Sequence, residues 1–327
     1  MIKINDIAAG VRNGNLRSLA KAITLIESRS PDHSVAATTL LDELLPDSGQ
    51  AIRIGISGVP GVGKSTFIEA LGLHLAGSGH KVAVLAVDPS SQLSGGSILG
   101  DKTRMEELSR EKNAFIRPSP AGDTLGGVAR NTRETMLICE AAGYDVIIVE
   151  TVGVGQSEIT VASRVDMFLL LQLPGAGDEL QGIKRGVMEI ADAIIINKAE
   201  GDNRPRADLA RQQYENALHM MAPKSSNWIV PVQLCSALNN EGIDDVWQKV
   251  EAFKTAMQIS GEFKEKRSKQ NSDWMWTLLM DDLKDYFMRD RNIEALLPQV
   301  QESVAKGIST PGAAARRLLE TFKKIKY

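Results

Sequence analysis

Residues 52–77 read IRIGISGVPGVGKSTFIEALGLHLAG. An apolar, β-branched run leads into a glycine-rich loop and then into a stretch with helical spacing, so the segment predicts a strand, a phosphate-binding loop and a helix. Glycines are needed in such a loop because the backbone must wrap phosphate groups with its N–H groups pointing inward, at the positive end of a helix dipole. The loop residues expected to bind a nucleotide are consecutive in the chain: Gly58, Val59, Pro60, Gly61, Val62, Gly63, Lys64, Ser65 and Thr66.

Two side chains of this loop and a second strand end are expected to carry the chemistry. Lys64 should reach the β and γ phosphates, and the Ser65 hydroxyl should ligate Mg²⁺. Glu150 ends the apolar run DVIIVE, where an acid can hold Mg²⁺ directly or through water. Gly153 follows it and is expected to let a backbone N–H meet the γ phosphate. We therefore predict Lys64, Glu150 and Gly153 as catalytic residues.

Two further acids come after the apolar run KVAVLAV. Asp88 stands in AVDPSS directly behind the run, and Asp101 stands in ILGDKTRM in the polar stretch beyond it. Both are candidate Mg²⁺ ligands beside Ser65 and Glu150. Each also fits a plainer role as the acid of a turn or of a helix N-cap, and the sequence leaves that choice open.

The stretch INKAEGD indicates which base the protein reads. Asn197, Lys198 and Glu200 follow the apolar run DAIIIN. GTP-binding proteins place Asn-Lys-x-Asp at this point, because a carboxylate accepts hydrogen bonds from guanine N1–H and from the exocyclic amine, and adenine lacks that donor pair. Glu200 is one methylene longer than Asp but keeps both acceptor oxygens.

The stretch CSAL adds a second guanine signal. Ser236, Ala237 and Leu238 follow another apolar run, and they resemble the loop whose backbone N–H meets the guanine oxygen. Because both signals come at strand ends and in order after the phosphate loop, the sequence predicts GTP and GDP as ligands, together with Mg²⁺.

Six short apolar runs, separated by helical stretches, organise the chain from residue 52 onward. They predict an α/β P-loop NTPase fold with a mostly parallel sheet flanked by helices. We expect an N-terminal helical segment over residues 1–50, a P-loop GTPase domain over 51–258 and a C-terminal helical extension over 259–327. The extension either forms a dimerisation element or packs on its own sheet. Near 261–270 we expect a lysine-rich break that is a solvated helix face or a linker. The runs are residues 52–57, 81–87, 145–150, 166–173, 192–197 and 228–236.

Composition narrows the function classes. The net charge of −3 leaves no general attraction for nucleic acid. No apolar run approaches the roughly 20 residues that span a bilayer, and the first residues lack the apolar segment of a secretion signal, so we expect no membrane insertion and a cytoplasmic location. Cys139 and Cys235 stand far apart in apolar stretches, so we expect neither a disulfide nor a metal cluster.

Taken together, the motifs resemble one known family, the P-loop GTPases that act as chaperones of methylmalonyl-CoA mutase. Older members of that family were labelled lysine/arginine/ornithine transport ATPases. The resemblance covers about residues 51–240 and extends to the helical segments at both ends. The segments that carry it are GVPGVGKST, VDPSS, ILGDKTRM, VETVGVGQSE, LPGAGDELQGIK and NKAEGD.

The resemblance implies a homodimeric GTPase that binds the adenosylcobalamin-dependent mutase and either gates cofactor loading or protects the mutase from inactivation. It also implies a third switch over residues 173–184, in which Asp178 and Lys184 respond to the partner and Lys184 joins the catalytic residues. Where most members of the family carry Asp in the guanine loop, this chain has Glu200.

The intrinsic rate of hydrolysis is expected to be slow. Ras-like enzymes have a water-orienting glutamine directly after the switch glycine, whereas this chain has Val154 there and Gln156 two residues later. An apolar side chain cannot orient water, so we expect a partner to accelerate turnover by ordering a loop that brings in Lys184 or Arg185.

Two other functions stay open at this point. One is a P-loop ATPase or kinase linked to basic amino-acid transport, and a nucleotide-specificity assay separates it from a GTPase. The other is a metal-delivery GTPase, which would need exposed Cys or His clusters, whereas the four histidines of this chain are scattered along it.

Overall fold

The structure, a computed structural model, describes residues 3–28, 30–87, 105–119, 125–151, 156–175 and 185–323. Within them one sheet has the strand order β3-β2-β4-β1-β5-β6-β7, and its neighbouring strands pair in parallel. The predicted α/β fold class is confirmed. The strands are β1 (Ile52–Gly58), β2 (Val82–Val87), β3 (Ala114–Ser119), β4 (Val146–Thr151), β5 (Met167–Gln172), β6 (Ala193–Ile196) and β7 (Val232–Leu234).

Helices cover both faces of this sheet. One apolar layer joins β1 and its neighbours to α4 and α9, and the opposite layer joins the sheet to α1–α3, α5 and α8. The helices are α1 (Ile4–Arg12), α2 (Leu16–Ile26), α3 (Pro31–Leu44), α4 (Lys64–Gly77), α5 (Leu125–Ala141), α6 (Gln156–Ala162), α7 (Arg185–Ile190), α8 (Arg204–His219), α9 (Ile243–Ser260), α10 (Glu262–Met288), α11 (Arg291–Ala305) and α12 (Pro311–Lys323). None of those in the described ranges is long and apolar enough to cross a bilayer.

The strand register brings the predicted site together at one edge of the sheet. Ile56 of β1 lies opposite Glu150 of β4, and Gly58 lies opposite Leu171 of β5. Because parallel strands all end at the same edge, the residues that follow β1, β4, β5 and β6 meet there, and this edge is where ligands of open α/β sheets bind.

The strand prediction needs two corrections. The sequence prediction missed β3, because its stretch AFIRPS contains Arg117 and Pro118, which hide the apolar pattern; proline is tolerated there because β3 is an edge strand. The run predicted over residues 228–236 forms a strand only over Val232–Leu234. Pro231 precedes that strand and has no N–H to donate to a neighbour.

The chain divides into two compact units, residues 1–267 and 268–327. In the first unit the N-terminal helices share an apolar cluster with the sheet: Leu19 and Ile23 belong to the same cluster as Leu85. In the second unit the Asp290 carboxylate caps α11, and the Phe322 ring contacts aromatic rings of α10. The division into three parts with boundaries after residues 50 and 258 stays a prediction.

The break or linker expected near residues 261–270 is wrong, whereas the alternative of a solvated helix face is confirmed for Lys264, Glu265 and Lys269, which are exposed on a helix. Helix α9 ends at Ser260, Gly261 adopts a φ of 82°, and α10 begins at Glu262. A left-handed glycine is a common helix end, and here a single one separates two helices. The charged run that follows is therefore helical.

Arg267 of this run forms a buried ion pair instead of facing solvent. Its guanidinium donates to both carboxylate oxygens of Asp166 at 2.8 and 2.6 Å, and to the carbonyl oxygens of Gly49 and Ala51. The side chains are only 15% and 1% exposed. Asp166 also accepts from the Arg53 N–H at the start of β1, so the pair holds the first turns of α10 to the strand starts.

Removing this guanidinium should destabilise the protein strongly. Arg267→Met leaves the Asp166 carboxylate buried with its main charge partner gone, and we expect the free energy of unfolding to fall by about 3 kcal/mol. Arg204→Met is the matched control, because Arg204 pairs with Asp208 on an exposed helix face and should contribute below roughly 0.5 kcal/mol. Urea unfolding followed by fluorescence measures both, and equal losses would contradict the ion-pair account.

Candidate nucleotide-binding site

The phosphate loop connects the end of β1 to the start of α4, as predicted. Gly61 and Gly63 have φ values of 79° and 89°, a region that L side chains rarely adopt. Gly58 and Gly63 are also confined by neighbours: a Cβ on Gly58 would lie 2.5 Å from the Leu171 carbonyl oxygen, and one on Gly63 would lie 2.9 Å from Asn197 Nδ2. The glycines of the motif are therefore required by backbone conformation and by close approach.

Lys64, the first residue of α4, folds back over the loop. Its Nζ donates to the Gly58 carbonyl oxygen at 2.8 Å. Burial lowers the pKa of Lys64 from its ordinary value, and the negative charges of Glu150 and Glu158 oppose that shift. The ammonium is thus held at the mouth of the loop with two carboxylates near it.

Ser65 and Glu150 lie together beside Lys64. The Ser65 hydroxyl donates to Glu150 Oε1 at 3.2 Å, so two predicted metal ligands from different elements meet at the carboxyl edge of the sheet. A hydroxyl and a carboxylate are the hard oxygen donors that Mg²⁺ prefers, and these two residues fit the ion. The predictions for Asp88, Asp101, Gly153 and Lys184 fall outside the described residues.

Asn197 connects three loops. Its Nδ2 donates to the Val62 carbonyl oxygen in the phosphate loop at 2.9 Å, and its Oδ1 accepts from the Ala237 N–H at 3.0 Å. The Cys235 thiol also donates to this oxygen, at 3.4 Å. Burial raises the pKa of Cys235 to about 12, with the Glu200 charge adding to the shift, so the thiol keeps its proton. Asn197 therefore fixes the guanine loop against the phosphate loop.

Lys198 reaches the phosphate loop as well. Its Nζ donates to the Gly61 carbonyl oxygen at 2.8 Å, and its own backbone has a φ of 60°, which is strained for a residue with a side chain. This stretches the aliphatic stem between the two loops, where it can pack on a base.

Glu200 supplies the acceptor that the guanine prediction requires. Its Oε2 is buried and has no hydrogen-bond partner in the part of the chain that the structure describes. A buried acceptor without a donor costs free energy of roughly 1–3 kcal/mol, and the N1–H and exocyclic amine of guanine are donors of the matching kind. The longer side chain of Glu200 therefore does not exclude the predicted role.

The Ser-Ala-Leu stretch forms a tight loop after β7. Ser236 exchanges two backbone hydrogen bonds with Glu241, and its hydroxyl accepts from the Asn239 N–H. The Ala237 N–H is bonded to Asn197 in this structure, while the Leu238 side chain is exposed. Which N–H of this loop meets the guanine oxygen stays a prediction.

Sequence reasoning did not single out three residues that the structure places at this edge. Ser57, Thr151 and Glu158 are buried beneath the phosphate loop and bonded to one another. The available signal was faint: a serine and a threonine closing apolar runs, and a glutamate in QSE.

A family model described as methylmalonyl-CoA mutase-associated GTPase MeaB matches residues 19–292. The chain belongs to the MeaB family of GTPases. The resemblance expected from the motifs is confirmed, and so are the GTPase activity and the guanine-nucleotide ligand.

Relatives of this MeaB-family chain match along most of its length. GTPase ArgK of Escherichia coli is 48% identical over 310 residues, which cover 95% of this chain and 94% of the relative. The mitochondrial methylmalonic aciduria type A homolog of Mus musculus is 45% identical, covering 98% of this chain and 80% of the relative. A solved structure described as LAO/AO transport system kinase is 40% identical, covers 99% of both chains and has a TM-score of 0.78.

The buried Glu200 oxygen without a hydrogen-bond partner among the described residues provides a test of base recognition in this MeaB-family site. Glu200→Ala should weaken GDP binding by about 100-fold, because two charge-assisted hydrogen bonds worth roughly 1.5 kcal/mol each are lost, and should leave the weaker binding of ADP unchanged. Asp202→Asn, two residues away and exposed, is the control and should change neither affinity. Titration calorimetry with both nucleotides measures this, and parallel losses for GDP and ADP would remove Glu200 from base recognition.

Proposed function

We propose that this protein is a Mg²⁺-dependent GTPase that serves as a chaperone of adenosylcobalamin-dependent methylmalonyl-CoA mutase, gating cofactor loading or protecting the mutase. The observation that carries the proposal is the family match over residues 19–292, whose description names the mutase. A mammalian relative named for methylmalonic aciduria supports the same partner. A cytoplasmic location and the lack of a nucleic-acid partner are part of this proposal.

The Mg²⁺ part of the proposal is supported by the meeting of Ser65 and Glu150. We infer that these two residues hold the ion, with Asp88 and Asp101 as further candidates. Held by these residues, Mg²⁺ would supply positive charge that offsets the negative charge developing on the phosphate groups during transfer.

Hydrolysis in this site requires positioning and charge stabilisation and no protein nucleophile. Water attacks the γ phosphate in line, while Lys64 and the N–H groups of the phosphate loop stabilise the developing charge. The Lys64 ammonium is already held at the mouth of the loop by the Gly58 carbonyl oxygen. We propose Gly153 and Lys184 as additional catalytic groups, with Lys184 acting only once a partner has ordered its loop, so the intrinsic rate is slow.

A homodimer is also part of the proposal. Helix α10 carries exposed apolar side chains at helical spacing, which form one stripe along the helix: Met275, Leu279 and Leu283. A stripe of this kind favours association with another apolar surface, and a second copy of the same helix provides a self-complementary one.

The transport-linked ATPase or kinase remains the second candidate, because the solved relative carries that name. The buried acceptor of Glu200 argues against it, since adenine presents an acceptor at N1 where guanine presents a donor. A metal-delivery GTPase would instead respond to a metalloenzyme target.

Steady-state hydrolysis of GTP and ATP, with and without the mutase, tests the proposal. We expect GTP-selective turnover that is slow alone and rises roughly 10-fold or more with the mutase, because a partner that orders a catalytic loop acts on the transition state. Lys184→Ala should lose the increase in GTP turnover that the mutase causes. Lys112→Ala, at an exposed position, should keep that increase. If the mutase changes nothing while GTP selectivity holds, the partner assignment fails and the guanine site stands.

A further inference from the structure

Beneath the phosphate loop, three buried polar side chains form a hydrogen-bonded chain. Thr151 Oγ1 donates to Ser57 Oγ at 2.8 Å, and Ser57 Oγ lies 3.2 Å from Glu158 Oε1, to which it donates. Ser57 and Thr151 are completely buried, and Glu158 is 8% exposed. Each hydroxyl has one proton and an ionised carboxylate only accepts, so the donation runs in one direction, toward Glu158. We call these residues the hydroxyl–carboxylate chain.

The chain joins the two strand ends that form the catalytic edge. Ser57 directly precedes Gly58, whose carbonyl oxygen holds Lys64. Thr151 directly follows Glu150, which accepts from Ser65. The two hydroxyls thus connect the strand that enters the phosphate loop to the strand that presents the candidate metal ligand.

Glu158 brings helix α6 into the same connection. The helix packs so closely on β1 that a Cβ on Gly55 would lie 2.9 Å from Val161 Cγ1. From this helix Glu158 reaches the face of β1 that carries Ser57, and its negative charge acts on Lys64. A displacement of α6 would therefore change the contacts at the ends of both β1 and β4.

A carboxylate is a costly choice for this position. Burying an ionised group is unfavourable unless charges and hydrogen bonds compensate, and an apolar residue would pack under the sheet edge without that cost. In the described part of the chain, the groups that compensate Glu158 include the Ser57 hydroxyl and the charge of Lys64. Both compensating groups belong to or adjoin the phosphate loop, which points to a role in the reaction rather than in packing.

We propose that Glu158 is a positioning residue of the GTPase reaction, which acts through Ser57 and Thr151 to hold the phosphate loop and Glu150 in alignment and to keep Lys64 directed at the phosphates. The inference concerns the chain's own GTPase activity and is independent of the mutase. It adds a residue to the site without making it a ligand of the nucleotide.

Kinetics of GTP hydrolysis in the absence of the mutase test this role. Glu158→Gln keeps the size and a hydrogen-bond acceptor but removes the charge, and it should lower kcat by about 10- to 100-fold, the usual effect of losing such a supporting contact. KM for GTP and the affinity for GDP should change less than about 3-fold, because ground-state binding relies on other groups. Two exposed residues provide the controls: Ser163→Ala lies directly after α6, and Glu111→Gln lies far from α6 in sequence. Both variants should leave kcat unchanged.

A double-mutant cycle separates a connected chain from independent contacts. Ser57→Ala alone should also lower kcat by about 10- to 100-fold. The kcat of the double variant Ser57→Ala, Glu158→Gln should lie within about 3-fold of the slower single variant, since both changes break one chain. If Glu158→Gln does not fold, Thr151→Val paired with Ser57→Ala provides the same cycle. The proposal is overturned by an unchanged kcat in Glu158→Gln, by kcat losses that multiply, or by GDP affinity that falls in parallel with kcat.

Discussion

The bridge made by Asn197 is the constraint on which the site depends. One amide side chain bonds to Val62 in the phosphate loop and to Ala237 in the loop after β7, and Lys198 adds a bond to Gly61. These contacts fix the distance between the groups expected to hold phosphate and the group expected to read the base. Because the carboxyl ends of parallel strands share one edge, the sheet only has to place the loops near one another, and Asn197 sets how they meet.

Much of the fold could be predicted from local pattern, and the failures have physical causes. Continuous apolar runs marked β1, β2, β4, β5 and β6, because strands covered on both faces need such runs. The prediction missed the edge strand β3 and made the edge strand β7 too long, since partial exposure permits proline and arginine in edge strands. The charged run that contains Arg267 was expected to face solvent or form a linker; its partner Asp166 is 101 residues away, a separation that no local pattern reveals.

The site was predictable where one short motif carries the geometry. The phosphate loop and the Asn-Lys-x-Glu stretch are such motifs, and the structure brings them together by bonds between residues 135 positions apart. Sequence order indicated that Asn197 and Val62 share an edge but not which atoms bond. Glu158 could not be found in this way, because its importance rests on burial and on a hydroxyl 101 residues away, and a glutamate in a short polar stretch is usually solvated.

A crystal structure of the protein with GDP is the most direct test of the central claim, that a phosphate loop tied to Asn197 presents its nucleotide to the Glu200 carboxylate. The account predicts guanine N1 and the exocyclic amine about 2.7–3.2 Å from the Glu200 oxygens, with Asn197 still bonded to Val62 and Ala237. A structure in which GDP is bound while Glu200 points into solvent, or in which the base lies outside the loop that carries Asn197, would contradict it.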